Sequence, residues 1–208
     1  MTIDADLLEV NPVTGRQTGL AADARRALRA LKLAAVPHAV IGAAALAARG
    51  LPRMTKDLDI AVLVEDAFRA LDALRRAGFR SVTPINRAAE PDAMYVLRHG
   101  RAGVEVDVHV ASGEPESTVV ADATPARVFG AAAPVATLEH LVLMYLYSNQ
   151  PRHFGDLARI VTETDVELGA VDRYLADVHP EMLPVLVERV RAARHPLPPP
   201  PRPKRHPH

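Results

Sequence analysis

Two acidic residues two positions apart, Asp57 and Asp59, head the apolar run DLDIAVLV that ends at Val64. Side chains i and i+2 of a strand leave the same face, so both carboxylates point one way while Leu58 and Ile60 point into a core. Like charges held that close repel, and a site that keeps both ionised has a cation between or beside them. Hard oxygen ligands at this spacing suit Mg²⁺ shared with phosphates. A third carboxylate fits the same pattern. In GVEVDVHV, from Gly103 to Val110, four valines alternate with Glu105, Asp107 and His109, which reads as a half-buried strand with one polar face. If this strand pairs beside the first, Asp107 completes a three-carboxylate cluster. Such a cluster can hold two metal ions, one activating an attacking oxygen and one stabilising the leaving group.

Those carboxylates need a frame, and the sequence supplies one. Pro37 to Ile41 reads as a strand, Gly42 as a turn, Ala43 to Arg49 as an Ala-rich helix, and Gly50 and Pro52 as its break. The free N–H groups and positive dipole end of a helix make a natural phosphate site; the plainer alternative is a strand-turn-helix that needs Gly42 for geometry alone. Upstream, Leu20 to Ala35 reads as a helix with Leu28 and Leu31 in its apolar stripe and Arg25, Arg26, Arg29 and Lys32 outside it. The cations form a solvated face or, in a sharper reading, lie along a polyanionic substrate. Asp66 is placed to cap a helix over 67–77 that stops at Gly78, and Phe79 to Thr83 reads as a short strand. Met94 to Leu97 and Val104 to Val110 predict a hairpin. The polar stretch 111–124 reads as a loop, and Val128-Phe129 and Val135 as short extended pieces around Gly130. Thr137 is placed to cap a helix over 137–150, followed by helices over 152–162, 166–178 and 181–194.

The order of strand, Gly-small turn, helix, Arg-x-Thr-x-Asp-hydrophobic-Asp and a later strand with one Asp resembles the polymerase-β-type nucleotidyltransferase superfamily. The resemblance covers roughly Pro37 to Thr162, and within the superfamily it is to the bacterial abortive-infection branch, the AbiEii-like toxins and their relatives. It implies an α+β nucleotidyltransferase fold, a mixed sheet with covering helices plus a helical C-terminal part. Carried over by position, Gly42 and Ala43 would hold the triphosphate of an NTP. Arg53, Thr55 and Lys56 would accompany it, Asp57 and Asp59 would bind Mg²⁺, and Asp107 would act as base or as ligand to a second ion. The family's helix pair carries a Lys and then a basic-Asp pattern; Arg152 and Asp156 match the second, but Tyr145 stands in place of the Lys. Arg53 either clamps phosphate or pairs with an Asp, and Arg152 with Asp156 reads equally as an i,i+4 helix pair. The resemblance further implies an RNA acceptor, notably a tRNA end, in a toxin–antitoxin setting with a cognate antitoxin. A small-molecule hydroxyl, as on an antibiotic, is an alternative acceptor. A non-catalytic nucleotide-binding module is another alternative, for which Ala43 and Tyr145 speak and the three retained Asp residues speak against.

Composition bounds these readings. The chain has 208 residues, 49% of them hydrophobic, no Cys and a formal net charge of +0. That suffices for one core, excludes a thiolate zinc site or a cysteine nucleophile, and argues against binding nucleic acid through a broad basic field. The first ten residues lack a basic stretch followed by an apolar one, and no run approaches the ~20 apolar residues of a membrane span, so a cytoplasmic protein with no membrane partner is expected. The expected organisation is an N-terminal arm (1–19), a nucleotidyltransferase domain (20–136), a helical part (137–194) and a disordered, Pro-rich basic tail (195–208).

Overall fold

A computed structural model describes residues 19–87, 91, 93–100 and 103–195. The expected arm before Gly19 and the tail beyond His195 lie outside the described residues. The chain runs α1 (Leu20–Leu33), β1 (His38–Val40), α2 (Gly42–Ala48), β2 (Asp57–Leu63), α3 (Ala67–Arg76), β3 (Phe79–Ser81), β4 (Met94–His99), β5 (Glu105–Ala111), α4 (Glu116–Ala121), β6 (Thr124–Val128) and β7 (Ala131–Val135). Helices α5 (Leu138–Leu146), α6 (Pro151–Glu163), α7 (Leu168–Val178) and α8 (Leu183–Arg194) follow. The result is the expected α+β architecture.

All seven strands join one mixed sheet in the order β3-β4-β5-β2-β1-β7-β6. Strand β2 lies at its centre, parallel to β5 and antiparallel to β1. The alternation read from sequence holds: Leu58, Ile60, Val62, Val106 and Val108 are buried, while Asp57, Asp59, Glu105, Asp107 and His109 are half-buried on the other face. Burying these branched side chains in a continuous layer sets which face the carboxylates take, because a strand cannot turn one without the other. Helices α1, α3 and α4 pack against β2, and α5 to α8 pack on one another beyond the β6–β7 hairpin.

Several local expectations change. Asp66 precedes α3, but its carboxylate pairs with Arg69 at 2.6 Å and makes no cap hydrogen bond. The expected loop at 111–124 contains α4, whose Val119 and Val120 are buried; its six residues make less than two turns, too short for helical periodicity to show in sequence. Phe129 is a turn residue rather than an extended one. With φ 49° at Phe129 and 79° at Gly130, the two-residue β6–β7 connection has the primed-turn geometry that suits strand twist. Helix α5 begins as expected, with the Thr137 hydroxyl accepting from the His140 N–H. It stops at Leu146 rather than Gln150, because Pro151 opens α6 and holds Gln150 extended. No helix among the described residues is long and apolar enough to cross a membrane.

Candidate active site

The parallel pairing of β2 with β5 is in register at Asp57↔Glu105, Asp59↔Asp107 and Ala61↔His109. Paired residues of adjacent strands share a face, so Asp57, Asp59 and Asp107 converge on one side of the sheet, as the two polar alternations require. Each carboxylate has a different environment. The Thr55 hydroxyl donates to Asp57 Oδ1 at 2.5 Å. Asp59 Oδ1 lies 3.3 Å from His109 Nε2. Asp107 Oδ1 is buried without a hydrogen-bond partner. Burial, then the neighbouring charges of Asp59 and Asp57, raise the Asp107 carboxyl from 3.8 to about 6.

Gly42 brings α2 against this cluster. Its φ is +62°, and a Cβ there would fall 2.2 Å from Asp59 Oδ2. Both the left-handed backbone and the close approach exclude a side chain. The Ile41 N–H donates to the Asp59 carbonyl at 3.0 Å, fixing the turn beside the strand. Ala43 is fully buried and faces away from solvent.

The second cluster comes from α5 and α6. Arg53 Nε lies 3.3 Å from Asp156 Oδ2, and that carboxylate is buried. The expected i,i+4 pair of Arg152 with Asp156 is therefore absent: Asp156 turns inward to Arg53. Arg159 donates to the Pro52 carbonyl at 3.2 Å, so α6 holds the segment leading into β2 at two points. Arg152 and Lys56 are exposed and make no ion pair with a described residue. Tyr145 is buried, and its ring stacks on His153 at 4.6 Å and 26°. His153 in turn lies 2.6 Å from the Ser148 hydroxyl through Nδ1, and burial and then Arg152 lower its pKa. Sequence reading placed His109 on the polar face of its strand, two positions after Asp107, and gave His153 no role; nothing local pairs His153 with Tyr145.

Among the described residues, six buried side-chain polar atoms have no hydrogen-bond partner. Four of them are Asp107 Oδ1, Arg53 Nε, Asp156 Oδ2 and the Tyr145 hydroxyl; the others belong to His38 and Thr83. Arg53 and Asp156 attract each other without aligned hydrogen-bond geometry. An unsatisfied buried group costs about 1–3 kcal/mol, and folded proteins keep few of them. Their concentration beside three carboxylates marks a place built to meet something outside the chain. The donor set, all carboxylate oxygens at the centre, fits a hard divalent cation in kind. Among the described residues no three such side chains close on one point as a finished metal centre, and Thr55 and His109 now engage two of the three.

The basic residues of α1 lie elsewhere. Arg25, Arg29 and Lys32 line a cavity of about 770 Å³ together with His38. His38 pairs with Val62, on the sheet face opposite Asp57 and Asp59. The sharper expectation for these cations, contact with a polyanionic substrate, does not hold at the carboxylate cluster.

The profile of a protein family described as uncharacterised nucleotidyltransferase matches residues 9–173. No curated protein matches the chain. Solved structures similar to it include the following three. ANT(2'')-Ia in complex with adenylyl-2''-tobramycin is 17% identical, with a TM-score of 0.48 over 84% of this chain and 98% of that one. Lincomycin-bound LnuA, a lincosamide antibiotic adenylyltransferase, is 12% identical, with a TM-score of 0.49 over 69% and 97%. TM1012 from Thermotoga maritima, a nucleotidyltransferase by its description, is 18% identical, with a TM-score of 0.49 over 68% and 91%.

Proposed function

Because the chain belongs to this nucleotidyltransferase family, matched over most of its length, we propose that it transfers a nucleoside monophosphate from an NTP to a hydroxyl acceptor at the Asp57–Asp59–Asp107 cluster. The acceptor oxygen attacks the α-phosphorus, the bond from that phosphorus to the bridging oxygen of the β-phosphate breaks, and pyrophosphate leaves. The observation that carries this reading is the in-register pairing that sets Asp59 beside Asp107 on one face.

Asp57 and Asp59, with Asp107 as the further ligand, would hold Mg²⁺, two ions in the full form, which supply charge stabilisation to the transferring phosphoryl group. Thr55 orients Asp57 through its hydroxyl. In its alternative role, as base rather than metal ligand, Asp107 takes the proton of the acceptor hydroxyl; burial and the neighbouring charges of Asp59 and Asp57 raise its carboxyl toward that task. Gly42 and Ala43 would offer backbone N–H groups to the triphosphate, with Arg53, Lys56 and Arg152 neutralising its charge. Asp156 holds Arg53 in place at 3.3 Å.

For the acceptor, the small hydroxyl compound is the better supported class. The formal net charge of +0 and the placement of Arg25, Arg29 and Lys32 behind the sheet argue, among the described residues, against a broad basic field around the carboxylates. An RNA acceptor, such as a tRNA end in a toxin–antitoxin pair, is the second reading, favoured by exposed Lys56 and Arg152. Incorporation of label from each α-phosphate-labelled NTP into small hydroxyl compounds, total RNA and total protein tests both. Mg²⁺-dependent label in the small-compound pool that vanishes in Asp57→Ala/Asp59→Ala supports the first reading, and label in RNA replaces it with the second. No transfer to any pool overturns the activity.

A further inference from the structure

The cavity behind the sheet takes no part in the proposed reaction, yet the fold keeps it open at about 770 Å³. Pockets for small ligands run to about 300–1,000 Å³. It lies where two strands part: β1 meets β7 at Val40↔Val135, and the cavity runs back from that pair between residues 36–38 on one side and 131–134 on the other. Helix α1 forms a wall, and α4 reaches it through Val120.

Its chemistry changes from floor to rim. Leu28, Val36, Val120 and Ala133 are buried and aliphatic. Among the described residues that line it there is no Phe, Tyr or Trp, so no platform is offered on which a base or an aromatic ring would stack. His38 belongs to the same lining and is 6% exposed. A carbonyl only accepts, so the 2.8 Å contact with the Val36 carbonyl makes Nδ1 the N–H of the ring. Burial lowers the His38 pKa and keeps the ring neutral, which leaves Nε2 as a lone pair without a partner. A lone pair repels an anion, so a negative group has no place at that depth. The cations stand at the rim instead. Arg25, Arg29 and Lys32 fall at i, i+4 and i+7 of α1, in one stripe beside Leu28, and all three are exposed. Arg25 Nη1 donates to the Phe129 carbonyl at 3.0 Å and ties α1 to the β6–β7 turn. Arg29 and Lys32 make no ion pair with a described residue.

We propose that this cavity binds a free aliphatic carboxylate, its alkyl chain among Leu28, Val120 and Ala133 and its carboxylate on the Arg29 and Lys32 side chains. Charge complementarity sets the head at α1, where the two unpaired cations are, and the aliphatic lining takes the tail out of water. The site lies on the sheet face away from Asp57 and Asp59, so it stands whether or not the chain transfers nucleotides.

Calorimetry on the full chain with decanoate, below its micelle concentration, tests this, with 1-decanol and butyrate as probes that lack the charged head or the long chain. The expected result is one decanoate per chain and at least tenfold weaker binding of each of the other two. Arg29→Gln/Lys32→Gln should weaken decanoate at least tenfold and leave 1-decanol unchanged. Ala131→Leu, which fills the cavity, should weaken both, and thermal unfolding of each variant without ligand checks that the fold is kept. Should Ala131→Leu lower the midpoint, the Gln pair, whose wild-type side chains are exposed, decides alone. Wild-type chain that binds no decanoate, or binds 1-decanol as tightly, overturns the proposal, as does decanoate binding that the Gln pair leaves intact. Binding to anionic phosphatidylglycerol vesicles without binding of free decanoate also overturns it, and would make the α1 stripe a membrane-facing surface.

Discussion

Arg49 and Arg53 stand in one short segment between α2 and β2, and the protein uses them in opposite ways. Arg49 donates to the Ala136 carbonyl at 2.9 Å, the Val135 carbonyl at 2.7 Å and the Thr124 hydroxyl at 2.6 Å. It closes the end of α2 onto the β6–β7 hairpin and the start of α5, and its acceptors are all neutral. Arg53 has one misaligned contact with a buried carboxylate and leaves Nε unsatisfied. A cation whose Nε and Nη2 both donate to acceptors inside the chain is part of the frame; a cation held near a carboxylate but under-bonded is available to a ligand. Across the molecule the same contrast separates the paired ladder of the sheet from the cluster of Asp107, Arg53, Asp156 and Tyr145.

Four changes press on that contrast. The largest effect is expected from Asp57→Ala/Asp59→Ala: transfer falls by about 10³-fold or more, since interactions with the transferring phosphoryl group are worth several kcal/mol. The unfolding midpoint should hold or rise, because mutually repelling charges are removed; a large fall in stability with residual transfer would make these residues frame rather than site. Gly42→Ala places a methyl group 2.2 Å from Asp59 Oδ2. It should cost about 10²-fold in rate, the scale of a misplaced catalytic group, with a lower midpoint from the positive φ. Arg49→Met should do the reverse, costing about 1–3 kcal/mol of stability through its stranded acceptors while KM for NTP stays level. A raised KM would place Arg49 at the site after all.

The smallest effect concerns pH. In the folded chain the Asp107 carboxyl titrates near 6 and in the unfolded chain near 3.8. The folded state therefore binds its proton more tightly, and the corresponding stability, fully present below about 4, is lost as pH rises through 6. Asp107 should add stability to the metal-free protein between pH 7.5 and 5, against the opposite contribution of His38, His140 and His153, whose burial lowers their pKa, and Asp107→Asn should remove the Asp107 part of that slope. At pH 7.5 the variant should gain about 1 kcal/mol, or ~2–4 °C, after allowing for solvent screening at a half-buried group. Thermal unfolding of both proteins across that range in chelator measures it; parallel slopes would show that Asp107 is not the group responsible.

What could be read from sequence was whatever depends on short-range alternation. Asp57, Asp59 and Asp107 announced their shared face because Leu58, Ile60, Val106 and Val108 fixed the opposite one. Gly42 was legible as a turn, but the reason for it, the carboxylate of Asp59 against its Cα, involves a strand that begins only at Asp57. Helix α4 escaped because six residues carry less than two turns of pattern. Phe129 escaped because an aromatic residue at positive φ runs against propensity and is held by the hairpin around it. The partner of Asp156 could not be found by spacing: the i,i+4 rule names Arg152, while the fold supplies Arg53 from the segment between α2 and β2. Tyr145 was visible only as a departure from a family pattern. That its hydroxyl lacks a partner is a property of the packed interior, which no local window contains.

With transfer at the proposed carboxylate cluster, the pairing of Asp59 with Asp107 also makes catalysis a gauge of strand register. A slip of one residue between β2 and β5 would keep both strands, and much of the helix and sheet content, intact. It would also bring Val106 or Val108 beside Asp59 and send Asp107 into the apolar layer. Spectroscopy of secondary structure would pass such a chain as nearly native, whereas transfer would report it as dead. For variants selected on expression or melting behaviour alone, activity is the measurement that tells an aligned sheet from a shifted one.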